Sequence, residues 1–117
     1  MLDDVGDWYE TLYDRDPETA DAVTAAIDLL EERGPSLGRP LVDTIKGSSL
    51  SNLKELRPGS TGASEVRILF AFDPERQAVL LVAGDKAGRW NRWYRDNIPV
   101  AEARYSEWLA GEHDEER

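Results

Sequence analysis

The first third of the chain places apolar residues at helical spacing. One apolar stripe predicts a helix over about residues 3–14 and consists of Leu2, Val5, Trp8, Tyr9 and Leu12. Asp16 and Pro17 favour the start of a second helix, because Asp caps free N–H groups and Pro fits the first helical turn. The stripe of that helix is Ala20, Val23, Ile27 and Leu30, and Gly34-Pro35 ends it. We therefore predict a helical hairpin with buried apolar faces.

Beyond residue 51 the pattern changes to the alternation that is typical of strands. Three antiparallel strands are predicted, at about residues 52–57, 64–72 and 77–83, after a loop-rich connector over residues 34–51. In the second strand, one side of the sheet receives Val66, Ile68, Phe70 and Phe72. The other side receives Glu65, Arg67, Leu69 and Ala71. The third strand is apolar throughout, as a central strand should be.

The end of the chain returns to helical spacing. Trp90, Trp93 and Tyr94 lie at i, i+3 and i+4 of a short helix, and Ile98-Pro99 is predicted to start another. The order helix, helix, three strands, helix indicates an α+β fold in two layers.

Composition limits the possible classes of protein. The chain has 117 residues, 40% of them apolar, which fits a single domain over residues 1–111 followed by a charged flexible tail over residues 112–117. It contains no apolar run of the roughly 20 residues that a membrane helix needs, and no signal peptide pattern. Cysteine is absent and the single histidine, His113, lies in the tail. A cytoplasmic location is favoured, and disulfides, thiolate metal sites and a histidine-based triad or zinc site are disfavoured.

The net charge of −10 is unevenly distributed. Residues 1–33 contain 11 acidic and 2 basic residues, whereas residues 34–98 contain 7 acidic and 10 basic ones. A protein this acidic does not bind nucleic acid diffusely, so a polyanion would need a local, focused site. The basic residues within or beside the predicted strands are Lys54, Arg57, Arg67 and Lys86. The alternative is that the arginines are exposed and form weak ion pairs with Glu55 and Glu65.

The segment after the third strand adds further candidate groups. Lys86 and Arg89 fall where a strand ends and a helix begins, and free backbone N–H groups at such points attract anions. The aromatic residues beside Arg92 and Arg95 either stack on nucleobases or belong to the core. Tyr94 is the better candidate for chemistry, because its hydroxyl can titrate.

The blocks KELRP, RILFAFD and GDKAGRW, in this order, resemble the phage-derived, HigB-like branch of the RelE/ParE superfamily of type II toxins. The resemblance extends over about residues 8–108. It implies a small antiparallel sheet packed on an N-terminal helical hairpin, with a C-terminal helix. Family members usually open with a strand, and only Met1 and Leu2 precede the helical pattern here. Either the true start lies upstream, or the first strand is missing or shortened, which would leave an uncovered sheet edge.

The resemblance also implies an activity, namely cleavage of mRNA on the ribosome without a metal or cofactor, through attack of a 2′-hydroxyl on the adjacent phosphate. The residues that it assigns to catalysis are Arg57, Arg67, Lys86 and Tyr94, with Lys54 or Tyr94 moving the proton. The residues assigned to RNA binding are Lys54, Arg89, Arg92 and Trp93. The implied partner is a cognate antitoxin with a helix-turn-helix domain, and DNA would be contacted only through that complex.

Two other functions remain open at this point. The chain could be a ParE-like inhibitor that binds a protein such as a topoisomerase, or an inactive phage-derived binding domain. Glu55 lies on the strand where RelE carries extra lysines, which favours these alternatives. A nuclease requires Arg57, Arg67 and Lys86 to converge on one phosphate, whereas a binding module could have them scattered.

Overall fold

The computed structural model describes residues 2–59 and 64–111. Its elements are α1 (Asp3–Arg15), α2 (Pro17–Arg33), a 3₁₀ turn (Gly34–Ser36), β1 (Val42–Thr44), β2 (Lys54–Leu56), β3 (Val66–Phe72), β4 (Ala78–Asp85) and α3 (Trp90–Leu109). The predicted α+β class is confirmed: a helical hairpin precedes an antiparallel sheet and a C-terminal helix. The predicted tail over residues 112–117, which includes His113, lies outside the described residues.

The helical hairpin begins and ends where the sequence signals predicted. Asp16 caps α2, because its carboxylate accepts hydrogen bonds from the backbone N–H and the hydroxyl of Thr19 at 3.3 and 2.6 Å. Pro17 occupies the first turn, and Gly34 follows the last residue with a positive φ of 55°. These local signals place the turn between α1 and α2 independently of the rest of the fold.

The sheet has four strands in the order β1-β2-β3-β4, and every neighbouring pair is antiparallel. Glu55 in β2 lies opposite Leu69 in β3, and Arg67 in β3 lies opposite Gly84 in β4. The prediction of an unbroken loop over residues 34–51 was wrong at β1. This strand has only three residues and exists through its pairing with β2, so it leaves no periodic signal of its own.

The two faces of the sheet pack against different helices. We call the face that packs against α1 and α2 the hairpin face. Its buried cluster includes Val23 and Leu30 from α2 with Ile68 and Phe70 from the sheet. The cluster on the opposite face, the α3 face, joins Leu69, Ala71 and Leu81 to Trp93 and Tyr105. The alternation predicted for β3 therefore matches the observed burial. Helices cover both faces, however, so the structure has three layers where two were predicted.

The C-terminal segment is one helix of 20 residues, not the two predicted. Pro99 lies inside α3, where the Asn97 side-chain amide donates to the Trp93 carbonyl at 2.8 Å one turn earlier. Trp93 packs against Gly84, where an added Cβ would lie 2.7 Å from the indole nitrogen. This close approach explains why a residue without a side chain stands at that point of β4.

The outer edge of β4 is contacted by Leu2 and by Arg104. The backbone N–H of Leu2 donates to the Leu80 carbonyl at 3.4 Å, and Nη1 of Arg104 donates to the Leu81 carbonyl at 2.7 Å. Nη2 of Arg104 also lies 2.6 Å from a carboxylate oxygen of Asp4, which ties α3 to the start of α1. No helix within the described residues is both long and apolar enough to cross a bilayer.

Candidate functional site

The predicted cations converge on a buried carboxylate, that of Glu55. β2 directs this side chain to the α3 face, and the residue is 3% exposed. Arg57, two residues further along the same side, donates from Nη2 and Nε to Oε2 of Glu55 at 2.8 and 3.0 Å. Nη2 of Arg57 also contacts a carboxylate oxygen of Asp43 at 3.1 Å. Arg57 therefore bridges one buried and one partly exposed carboxylate.

Arg67 approaches the same carboxylate from β3. Its Nε lies 3.8 Å from Oε1 of Glu55, and its Nη1 donates to the Val66 carbonyl at 2.8 Å. The Nε atom is buried without a hydrogen-bond partner among residues 2–59 and 64–111. The guanidinium of Arg67 thus retains unused hydrogen-bonding capacity beside Glu55.

Tyr94 and Lys86 complete the cluster from α3 and the end of β4. The Tyr94 hydroxyl donates to Oε1 of Glu55 at 2.6 Å, and Nζ of Lys86 donates to the Tyr94 oxygen at 3.1 Å. The backbone N–H of Lys86 is held by the Glu65 carbonyl at 3.0 Å. A continuous hydrogen-bonded chain therefore leads from Lys86 through Tyr94 to Glu55.

Burial, hydrogen bonds and neighbouring charges shift the pKa values of three groups in the cluster. Burial, followed by the hydrogen bond to Glu55 and its charge, raises the pKa of the Tyr94 hydroxyl well above its usual range. Burial, followed by repulsion from Arg67, lowers the pKa of the Lys86 ammonium below that of an ordinary lysine. The hydrogen bond to Glu55 raises the pKa of Arg57. Tyr94 therefore stays a neutral hydroxyl, while Lys86 gives up its proton more readily than a lysine in water.

The cluster lies in an open cavity of about 400 Å³ between the sheet and α3. Its lining residues are Thr44, Ile45, Lys46, Glu55, Arg57, Lys86, Trp90, Tyr94 and Ile98. The Trp90 ring covers Lys86, whose Nζ lies 3.5 Å from the ring centroid. A second cavity of about 410 Å³, between α1 and one end of β3, includes none of the predicted site residues.

The residues predicted to bind RNA are dispersed. Lys54 points to the hairpin face, because it shares its side of the sheet with Leu56 and lies opposite Phe70. Trp93 is 2% exposed and belongs to the core, so its ring faces no solvent. Arg89 and Arg92 are exposed at the start of α3. The structure brings together all four residues assigned to catalysis and places Lys54 on the opposite face. Trp93 contacts the Tyr94 ring edge to face, with centroids 5.3 Å apart, but from within the core.

Three contributors were not among the residues assigned to the site, namely Glu55, Asp43 and Trp90. The sequence had suggested Glu55 as an ion-pair partner of the arginines, and Trp90 as either a stacking or a core residue. Glu55 was interpreted as a departure from the nuclease pattern, yet it is the group that the cations share. Its signal was available, since Glu55 and Arg57 are two residues apart and must share one side of a strand. Asp43 had no such signal, because it joins the site through the short strand β1.

The wall of the cavity after β1 is fastened to α3. The Glu102 carboxylate accepts from the Ser48 hydroxyl and from the Ser49 N–H, both at 2.7 Å. These hydrogen bonds lower the pKa of Glu102. The loop that carries Ile45 and Lys46 is thereby held beside the charged cluster.

Comparisons with known proteins identify one matching family and two similar proteins. The family described as phage derived protein Gp49-like matches residues 10–106. A Mycobacterium tuberculosis protein named "Putative toxin HigB2" is 62% identical over 95 residues, which are 81% of this chain and 47% of that protein. A second protein of that organism, named "Putative toxin HigB3", is 55% identical over 113 residues, which are 97% of this chain and 94% of that protein. The chain spans about half the length of the first relative and nearly all of the second, and no solved structure matches it.

Proposed function

The chain belongs to the phage-derived Gp49-like family, and from this premise we propose that it is the toxin of a type II toxin–antitoxin pair and an mRNA endoribonuclease. The names of the two mycobacterial relatives support the toxin half of the proposal. One observation carries the nuclease half: three cations and a Tyr hydroxyl are gathered around Glu55. Arg57, Lys86 and Tyr94 line the same open cavity as Glu55, and the buried Nε of Arg67 lies 3.8 Å from the Glu55 carboxylate.

The first step is attack by the 2′-hydroxyl of a ribose on the adjacent phosphorus. Glu55 accepts the hydroxyl proton, because it is the carboxylate at the centre of the cluster and the 2′-hydroxyl is a poor nucleophile until it is deprotonated. The Tyr94 hydroxyl, with its raised pKa, donates a hydrogen bond to Glu55 and orients it. Tyr94 is therefore a positioning residue in this proposal.

The second step is departure of the 5′-oxygen as its bond to phosphorus breaks. The Lys86 ammonium donates a proton to this oxygen, and its lowered pKa makes the transfer easier. The products are a 2′,3′-cyclic phosphate and a free 5′-hydroxyl, so atoms and protons balance without a metal or cofactor. Lys54, which points to the hairpin face, takes no part.

Arg57 and Arg67 stabilise the negative charge that develops on the phosphoryl oxygens. In the free protein their partner is Glu55, so an incoming phosphate competes with that carboxylate for the same guanidinium groups. Bidentate contacts of arginine to phosphate are strong and directional, which suits this exchange.

The proposed setting is the cytoplasm, where the substrate is mRNA in the decoding site of the ribosome. The ribosome would hold the mRNA in place, so that a protein with a net charge of −10 need not bind the strand diffusely. The proposed partner is an antitoxin with a helix-turn-helix domain that neutralises the toxin.

Induced expression combined with mapping of RNA 5′ ends tests the proposal. We expect wild-type protein to arrest growth and to create new 5′-hydroxyl ends within coding sequences, and Arg67→Ala to abolish both effects. Arg33→Ala, which removes an exposed arginine at the end of α2, is the matched control and should arrest growth fully.

Two results would contradict the nuclease. Growth arrest without new RNA ends would favour the ParE-like inhibitor of a protein target. If cells grew normally while expressing either wild type or Arg67→Ala, the protein would be an inactive binding domain. That result would also remove the toxin half of the proposal.

A further inference from the structure

Trp90 combines exposure with a place beside the charged cluster. The residue is 52% exposed and lines the cavity, whereas Trp93, one turn further along α3, is buried. The other large apolar side chains that are exposed among the described residues, namely Tyr13, Val100 and Leu109, do not line this cavity. We propose that the outer face of Trp90 is a stacking platform for one nucleobase of single-stranded RNA, an inference that rests on the proposed nuclease function.

One face of the Trp90 ring is already held by a contact within the protein. Nζ of Lys86 lies 3.5 Å from the ring centroid, and this cation–π contact occupies one face of the indole. The exposed half is therefore the opposite face and the ring edge. A ring held in one orientation loses little further entropy when a base stacks on it, which favours binding.

The platform is next to the reacting groups. Lys86, which touches the inner face of the indole, is hydrogen-bonded to Tyr94, and Tyr94 to Glu55. A base stacked on Trp90 thus belongs to a nucleotide beside the scissile phosphate. Its stacking places the ribose and phosphate near Glu55, so that Trp90 acts as a positioning group for the attack.

Other lining residues of the cavity supply apolar surface for a base and a cation for its phosphate. Ile45 and Ile98 supply apolar surface on the same cavity, and Lys46 contributes an exposed cation at its rim for a neighbouring phosphate. Stacking depends on the overlap of ring areas more than on hydrogen-bond identity. The platform therefore accepts any base, with purines covering more of the indole than pyrimidines.

The experiment uses the full chain and a 2′-O-methylated single-stranded oligonucleotide, which lacks the attacking hydroxyl and so binds without cleavage. Trp90→Ala should weaken binding by about 5- to 150-fold, as expected for the loss of one base–aromatic stack. Trp90→Phe should retain part of the affinity. Leu109→Ala, which truncates another exposed apolar residue of α3, should bind like wild type.

Oligonucleotides with a single abasic position, moved along the strand, separate stacking from an indirect effect through Lys86. At the stacked position, the difference between wild type and Trp90→Ala should vanish. If that difference persists for every abasic oligonucleotide, Trp90 acts by covering Lys86 and the platform is refuted.

Equal binding by wild type and Trp90→Ala, or no binding by wild type, would also overturn the platform. Neither result touches the nuclease proposal, which depends on RNA ends formed in cells by wild type and lost in Arg67→Ala. Conversely, binding that depends on Trp90 in a protein that creates no RNA ends would leave a single-strand binding site without the nuclease.

Discussion

The two faces of one small sheet are built for different purposes. The hairpin face is closed by α1 and α2, and its buried cluster is apolar throughout. The α3 face is apolar only where α3 packs on β3 and β4. Beyond that contact, over β2, the same face holds Glu55 and the cations around it. The difference indicates that apolar packing on the hairpin face, and on the α3 face over β3 and β4, stabilises the sheet. The part of the α3 face over β2 is the part that can carry chemistry.

The contrast has a physical basis in the length and position of α3. The helix packs mainly on the two long strands and reaches β2 through Tyr94, whose hydroxyl donates to Glu55. A buried charge without a partner would be costly. Glu55 offsets the charge of the two arginines, and Lys86 contacts the Tyr94 hydroxyl and the Trp90 ring. The following three predictions test whether stability and chemistry are separated in this way.

The largest effect is expected for Glu55→Gln, which keeps the shape of the side chain and its hydrogen bond from Tyr94 but removes the base. RNA cleavage should fall by about 10²- to 10⁴-fold, the usual contribution of a general base. Cleavage rates of folded protein, with folding checked by circular dichroism, measure the effect. Glu31→Gln makes the same change on the exposed surface of α2 and should leave the rate unchanged. An active Glu55→Gln protein would mean that the cluster is a structural ion-pair network.

Ile68→Ala should lower stability and leave the cleavage activity of the folded protein unchanged. Ile68 is fully buried on the hairpin face, so its truncation should lower the free energy of unfolding by about 2–5 kcal/mol. Val100→Ala, on the exposed side of α3, should change it by less than about 0.5 kcal/mol. Urea titrations give both values. If folded Ile68→Ala protein also lost cleavage, the two faces would be coupled and the contrast between them would fail.

Lys86→Met should change stability and RNA cleavage in opposite directions. Its effect on stability is expected to be the smallest of the three. Because burial lowers the pKa of Lys86 in the folded state, the unfolded chain binds its proton more tightly, and the charge costs stability at neutral pH. The substitution should raise the free energy of unfolding by roughly 0.5–1 kcal/mol while cleavage is lost.

The pH dependence of this gain follows from the same shift. As the pH rises from the lowered pKa of Lys86 towards 10.5, its ordinary value, folding no longer has to bury the charge and the wild type regains stability. The advantage of Lys86→Met should therefore shrink over this window. A less stable Lys86→Met protein at neutral pH would show that the ammonium is a net structural asset.

Much of the fold was predictable because local signals agree with the tertiary structure. The cap at Asp16 and the apolar alternation of β3 each act within a few residues, and both predictions match the structure. These two features depend on local periodicity, which a sequence displays directly. Whether Arg57 and Arg67 converge was left open, because it depends on the pairing of β2 with β3.

The rest depends on long-range contacts. β1 is a strand only because β2 lies beside it, and Pro99 was interpreted as a helix start although α3 continues through it. Trp90 and Trp93 have the same residue type and similar neighbours, yet one is exposed and the other buried. Trp93 enters the core against Gly84 near the end of β4, where the absence of a side chain leaves room for its ring.

The loop fastened by Glu102 gives the protein a replaceable part. Ile45 and Lys46 form one wall of the cavity. Their segment, residues 45–50, is joined to α3 by the two hydrogen bonds to Glu102 and by the packing of Ile45 and Leu50 on the core of the α3 face. The catalytic candidates all lie on other segments. An engineer could therefore exchange this segment between relatives, keeping Ser48, Ser49 and the two apolar residues as the anchor, and transplant substrate preference without rebuilding the sheet.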